Sequence, residues 1–183
     1  ASTTDQMIVH LGSLFRHNLR TKRQQITLEE ELDGLEDYIY LQQMRFDGRI
    51  TVEKSIRVQP AAVRVPSFML QPVVENAYSH GLKSCEESGR ILLRAWMQGS
   101  VLVLTVADNG RGMTAEELDA LQARIAQSEQ TGRSIGLGNI SRRIGMLYPG
   151  GKMQVYSRAG RGTVVRFEIP QTQWTEEKEG KPS

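Results

Sequence analysis

Four short segments bring together residue types that can do chemistry. Val74-Glu75-Asn76-Ala77 sets a carboxylate beside a carboxamide, and Asp108-Asn109-Gly110-Arg111-Gly112-Met113 follows an apolar run with a carboxylate and two glycines. Ile135-Gly136-Leu137-Gly138-Asn139-Ile140 places a glycine pair where a helix is expected to start, and Gly160-Arg161-Gly162-Thr163 places another beside a threonine. A carboxylate within reach of a nucleophile can take its proton, and a carboxamide oxygen is a hard ligand suited to Mg²⁺. Glycine, lacking Cβ, lets a backbone turn sharply and approach a planar ligand. The first turn of a helix offers unpaired N–H groups and a positive dipole end to phosphate oxygens. The familiar nucleotide motifs do not fit. None of the G-x-G pairs has the third glycine of a dinucleotide fingerprint, and Gly151-Lys152 is followed by Met153 with no glycine five residues before Gly151, which excludes a P-loop.

The elements that must position these groups follow from periodicity. Ile8, Leu11, Phe15 and Leu19 recur at helical spacing, and Thr27 with Glu30 forms a capping box for a second helix whose apolar stripe is Leu28, Leu32, Leu35 and Ile39. That helix can pack on the first, on the domain behind it, or on a second copy. From Ile50 the period is two, through Val52, Ile56 and Val58. Pro60 and Pro66 precede a helix expected from Ser67 to Lys83, which carries Glu75 and Asn76. Strands over Arg90 to Met97 and Val101 to Ala107 flank the turn Gln98-Gly99-Ser100 and form an antiparallel hairpin. A helix from Ala115 to Ala126, a polar stretch from Gln127 to Arg133, a helix from Leu137 to Leu147 and strands over Met153 to Ser157 and Gly162 to Ile169 complete the order. Hairpins interrupted by helices point to an α+β fold, a two-layer α/β sandwich with helices on one face of a mixed sheet.

The order of the four segments resembles the N, G1, G2 and G3 boxes of the Bergerat-type ATP-binding fold of histidine kinases, type II topoisomerases, a class of heat-shock chaperones and MutL (the GHKL group). Leu28-Glu29-Glu30-Glu31-Leu32, Tyr38-Ile39-Tyr40-Leu41-Gln42, Met44-Arg45-Phe46, Pro66-Ser67-Phe68-Met69-Leu70-Gln71-Pro72 and His80-Gly81 are similar to the LytS/YesM type of sensor histidine kinase. The resemblance runs from Leu14 to Pro170. It implies ATP and Mg²⁺ as ligands, with Asn76 the metal ligand and Glu75 accepting a proton from, or orienting, the attacking nucleophile. It implies base recognition by Asp108, with Gly110, Gly112 and Met113 beside it, Thr163 lining the nucleotide site, His80 lining the phosphate site, and phosphate binding by Gly136, Leu137, Gly138 and Asn139. The polar stretch from Gln127 becomes a lid over ATP. Glu75 also reads as a solvated or helix-pairing glutamate, Asp108 as part of a turn, Thr163 as a β-branched strand residue and His80 as a packing residue. Two positions depart from the pattern: Ser79 replaces a basic residue and Ser134 a glycine. Lys83 or Arg142 can supply the missing charge. The acceptor motif N-P-H-F-L-F-N is absent, and His10 and His17 lack its context.

The implied function is transfer of the ATP γ-phosphate to a histidine on an upstream helix, for relay to the receiver domain of a response regulator, in a protein that is a homodimer when complete. A nucleotide-sensing or dimerisation module and a GHKL serine kinase or ATPase are the alternatives. Residues 1–47 read as the remnant of the dimerisation and acceptor region, 48–170 as the ATP-binding domain and 171–183 as a disordered polar tail. With 23 basic and 21 acidic residues in 183 the net charge is +2, too small to argue for nucleic acid or an anionic membrane. One cysteine, Cys85, makes no disulfide within the chain and fits a reducing, cytoplasmic compartment. The longest apolar run, Val101 to Ala107, is far below the roughly 18 residues of a membrane span. The chain begins at Ala1 rather than Met and is expected to be a fragment; the resemblance implies a parent held at a membrane by segments not present here.

Overall fold

A computed structural model describes residues 23–46, 49–82, 89–131 and 136–171. The expected first helix, His10, His17, Lys83, Cys85, Ser134 and the tail lie outside the described residues.

Strand β1 (Gln25–Thr27) leads directly into α1 (Leu28–Arg45). The capping box forms as expected: Thr27 Oγ1 accepts the Glu30 N–H at 3.1 Å, and Glu30 Oε2 accepts the Thr27 N–H at 2.9 Å. Of the packings open to this helix, it takes the domain behind it. Leu28, Leu35, Tyr38 and Ile39 are buried in one core with Leu70, Val74 and Tyr78, and Glu36 pairs with Lys54 on β2 (Ile50–Arg57).

Strand β2 runs parallel to β4 (Gly89–Gln98), and parallel neighbours require a crossover. The crossover holds a 3₁₀ turn (Pro60–Ala62), β3 (Arg64–Pro66), α2 (Leu70–Asn76) and a single π turn (Ala77–Gly81), in which the Leu82 N–H reaches the Ala77 carbonyl at 2.9 Å. Strands β1 and β3 pair antiparallel; at three residues each they are too short to show a two-residue period. The helix expected from Ser67 begins at Leu70 instead. Phe68 has φ 58°, a left-handed conformation costing a non-glycine residue of order 1–3 kcal/mol. The N–H groups of Phe68, Met69 and Leu70 all point to the Glu31 carboxylate, at 2.8, 2.7 and 2.8 Å. Pro72 falls in the first turn of α2, where a missing N–H costs nothing.

The hairpin of β4 and β5 (Val101–Asp108) is as expected, and β7 (Gly162–Pro170) and β6 (Lys152–Arg158) extend the sheet antiparallel to give the order β2-β4-β5-β7-β6. Alternation puts Ile91, Leu93, Ala95, Leu102, Leu104, Val106, Val165, Phe167 and Ile169 on the core face. Fully burying each large one contributes about 1.5–3 kcal/mol. The other face is partly polar: Arg166 lies 5.7 Å from the centroid of the Trp96 ring and 3.0 Å from Glu168. Helices α1, α2 and α4 (Leu137–Leu147) contribute to the same core, while α3 (Ala115–Thr131) packs on α4 and β6. The helix layer on one face of a mixed sheet is the expected sandwich. Helix α3 runs past Ala126 because Gln127 to Gln130 contains no helix breaker; most of the expected lid is therefore helical.

Candidate functional site

Strand β5 ends on Asp108, which pairs with Thr163 on β7. The carboxylate is half-buried and Oδ1 accepts the Gly110 N–H at 2.9 Å. Burial pushes this carboxyl above its ordinary 3.8, while N–H groups of Gly110 and Thr163 act in the opposite sense. Gly81, at the end of the π turn, lies against it: a Cβ there would sit 2.8 Å from Asp108 Oδ1. Gly110 in turn lies against Gly81. A Cβ on Gly110 would come within 2.1 Å of the Gly81 carbonyl oxygen, the same oxygen that accepts the Arg111 N–H at 2.9 Å. Gly112 has φ 63° and faces the Arg158 carbonyl so closely that a Cβ would be 2.0 Å from its oxygen. Ser157 Oγ accepts the Met113 N–H and donates to the Gly162 carbonyl, both at 2.9 Å, and sits 2.9 Å from Thr163 Oγ1. The end of the N box, the Asp108 loop and the Gly160-to-Thr163 segment are one hydrogen-bonded unit.

Glu75 is exposed and Asn76 half-buried where α2 gives way to the π turn, while His80 is exposed rather than packed. Such turns interrupt helices frequently at functional sites. Helix α1 supports this one from below. Tyr38 meets Tyr78 edge to face with ring centroids 6.2 Å apart, and Phe46 stacks on Tyr78 at 5.5 Å. Burial, and then the nearby Glu75 carboxylate, push the Tyr38 phenol up, so α1 and the N box share one electrostatic environment. Across the site, Gly136 has φ 78° and precedes α4 without a side-chain cap, followed by half-buried Leu137, buried Gly138 and exposed Asn139. The first N–H groups of α4 are therefore not covered by a capping side chain of Gly136, as a phosphate cradle requires.

The donor set also fits the implied metal. Among the described residues no group of three or more His, Cys, Asp or Glu gathers into a cage. Mg²⁺ suits such a place, since it takes one or two protein oxygens and fills the remainder with water and phosphate; Asn76 offers one.

Sequence reasoning missed several residues that hold this site together. Glu31 reads as one of three consecutive surface acids, yet it is 3% exposed. Arg143 on α4 donates to the Ser67 carbonyl at 2.6 Å and to Ser67 Oγ at 3.2 Å. Neither contact leaves a local signal, because the partners are 37 to 76 residues apart. A second capping box did leave one: Thr114 Oγ1 accepts the Glu117 N–H at 3.2 Å and Glu117 Oε2 accepts the Thr114 N–H at 2.9 Å.

Comparison with known proteins converges on one family. Residues 66–173 match the family described as Histidine kinase-, DNA gyrase B-, and HSP90-like ATPase, and residues 1–50 match the family Histidine kinase. Sensor histidine kinase YpdA of Escherichia coli (strain K12) is 32% identical over 169 residues, covering 92% of this chain and 29% of that protein. Sensor protein LytS of Bacillus subtilis (strain 168) is 31% identical over 178 residues, covering 96% of this chain and 30% of that protein. The chain thus spans less than a third of these relatives. Among solved structures, the histidine kinase domain of the blue-light activated histidine kinase of Erythrobacter litoralis EL346 shares the fold at TM-score 0.56 and 23% identity, over 94% of this chain and 76% of that one. Histidine kinase ThkA, solved in complex with response regulator protein TrrA, shares it at TM-score 0.53 and 16% identity, over 90% and 48%. The chain belongs to the histidine kinase-, DNA gyrase B- and HSP90-like ATPase family, with LytS-like sensor histidine kinases among its relatives.

Proposed function

We propose that this chain is the ATP-binding catalytic part of a two-component sensor histidine kinase, delivering the γ-phosphoryl group of ATP to a histidine on an upstream helix. The observation that carries this reading is Asp108. A half-buried carboxylate at a strand end, fixed by the Gly110 N–H and bordered by the bare backbone of Gly81, presents an acceptor to the exocyclic amine of adenine. Asn76 holds Mg²⁺, which when bound offsets the charge of the phosphate oxygens. The start of α4, from Gly136 to Asn139, receives phosphate oxygens, and Thr163 lines the base end. Glu75, exposed beside Asn76, accepts the imidazole proton as the ring nitrogen bonds to the γ-phosphorus and the bond to the bridging oxygen breaks, releasing ADP. The phosphoryl group then passes to an aspartate in the receiver domain of a response regulator. Residues 1–47 belong to the dimerisation and acceptor region of a homodimeric parent, with α1 shared between that region and the catalytic core. None of the described helices is long and apolar enough to cross a membrane; membrane attachment is assigned to segments of the parent outside this chain.

Titration with ATP by calorimetry tests the reading. Asp108→Asn presents a donor to the adenine amine and is expected to lose about 100-fold or more in affinity, the scale on which sites built around one polar group reject a mismatch. Asn76→Ala is expected to remove the gain that Mg²⁺ confers. Unchanged affinity in both variants overturns the proposal. Joining the missing acceptor helix and following label from γ-labelled ATP separates a kinase from a module that only senses nucleotide, since the module never becomes labelled.

A further inference from the structure

Glu31 is the least exposed carboxylate among the described residues, and its partners are unusual. Both oxygens serve the turn that opens α2: Oε2 takes the Phe68 N–H, and Oε1 those of Met69 and Leu70. Met69, the residue at the cap position, gives no side-chain cap of its own. The left-handed conformation of Phe68 turns three successive N–H groups onto one carboxylate. From the opposite side Arg143 grips the same turn through the Ser67 carbonyl. Burial weakens that guanidinium's hold on its proton, and the Glu31 charge acts to strengthen it. Helix α2 is seven residues long and therefore about 10 Å, a short rigid rod with the turn at one end and Glu75-Asn76 at the other.

We infer that Glu31 is a positioning residue for the phosphate end of the site: by fixing the start of α2 it sets where Asn76 and Glu75 stand, and it makes that placement depend on α1. The inference rests on the proposed role of Asn76. It has a directional consequence, because Asp108 is carried by β5 and paired along β7, and the loops beside it are tied through the Ser157 hydroxyl on β6. Loosening the start of α2 is expected to act on Asn76 and Glu75 more than on Asp108, which stays on its strand and meets this segment through Gly81.

The experiment is calorimetric titration of the whole chain with ATP in Mg²⁺ and with ATP in EDTA, alongside circular dichroism. Glu31→Gln keeps the shape but turns an amide nitrogen toward an N–H. It is expected to lower the Mg²⁺-dependent gain in affinity roughly tenfold, as residues that orient a metal ligand do, with affinity in EDTA unchanged within about twofold. A purely structural role moves both affinities together or neither, and either result overturns the inference. Should Glu31→Gln fail to fold, Arg143→Gln, which frees the same turn from the α4 side, decides by the same criterion. The two readings fail differently: a wild-type chain whose ATP affinity ignores Mg²⁺ removes the role of Asn76 and this inference with it, whereas a wild-type gain that Glu31→Gln retains removes this inference alone.

Discussion

The two ends of the proposed site, the base end at Asp108 and the phosphate end at Asn76 and Gly136, are built by different means. At the base end bare glycine backbone packs closely, Gly81 against the Asp108 carboxylate, Gly110 against the Gly81 backbone and Gly112 against the Arg158 backbone, with the Ser157 hydroxyl tying Met113 to Gly162. Gly81 comes from the π turn that follows α2 and the others from the ends of β5, β6 and β7 or the turns beside them, so this end depends on the sheet and on one contact from the helix layer. The phosphate end is side chains on helices. Asn76 and Glu75 stand on α2, whose start is gripped by Glu31 from α1 and by Arg143 from α4, and Gly136 introduces α4 itself. Damage to the first end is therefore a folding defect, and damage to the second is a positioning defect.

The largest expected effect breaks the base end. In Gly110→Ala the new methyl group meets the Gly81 carbonyl oxygen at 2.1 Å. Relief requires moving either the π turn or the Asp108 loop. A loss of about 3 kcal/mol or more is expected, a fall in Tm of roughly 6–12 °C for a chain of this size. Gly136→Ala sharpens the contrast. Its φ of 78° is strained for alanine, but nothing lies within 4 Å of the new Cβ, so the cost is about 1–3 kcal/mol of conformational strain. Thermal unfolding of both variants checks the order; equal losses would place the two ends on the same footing.

Next in size is the carboxylate at the centre of the base end. Asp108 titrates in the fold above its ordinary 3.8, so between those two values the folded chain holds the proton more tightly than the unfolded chain does. By linkage its contribution favours the fold below 3.8 and is lost as pH rises through the folded value. At neutral pH the wild type carries a partly desolvated charge, which the proposed adenine contact would use. Without nucleotide, Asp108→Asn is expected to be as stable as the wild type or more so at about pH 7, with the difference closing toward about pH 4. Urea denaturation across that range checks it. A variant less stable throughout would mean that the N–H bonds of Gly110 and Thr163 outweigh the burial.

The same division explains what can be read from the residues alone. The order of β4, β5, β6 and β7, the bounds of α4 and the Thr27 capping box follow from periodicity and local chemistry. So do the four segments of the base and phosphate ends, because glycines and a strand-end carboxylate are local features. What is not legible is long-range or very short. Strands β1 and β3 have three residues each. Glu31 is hidden in an acidic run, and it is buried only because Phe68, Met69 and Leu70, nearly forty residues on, bring it three N–H groups. Helix α2 starts three residues later than its sequence suggests because Phe68 is left-handed and cannot belong to it, a conformation that brings its N–H and the two that follow onto the Glu31 carboxylate.

The smallest expected effect separates the two ends most cleanly, because two helix caps of the same construction flank them. Thr27 caps α1 at the turn bearing Glu30 and Glu31, and Thr114 caps α3 immediately after Met113. Removing either hydroxyl by substitution with alanine costs about 1 kcal/mol, or roughly 2–4 °C in Tm. The stability losses should match and the binding losses should not. Thr27→Ala loosens the turn that carries Glu31 and is expected to reduce the Mg²⁺-dependent gain in ATP affinity by about twofold, a fraction of the roughly tenfold effect of a residue that orients the ligand directly. Thr114→Ala is expected to keep more of that gain, since α3 reaches the start of α2 at one remove, through α4 and its Arg143, whereas Thr27 caps the helix that carries Glu31 itself. Titration with and without Mg²⁺ measures both, and an equal response from the two caps would show that α1 is only a support and not a lever.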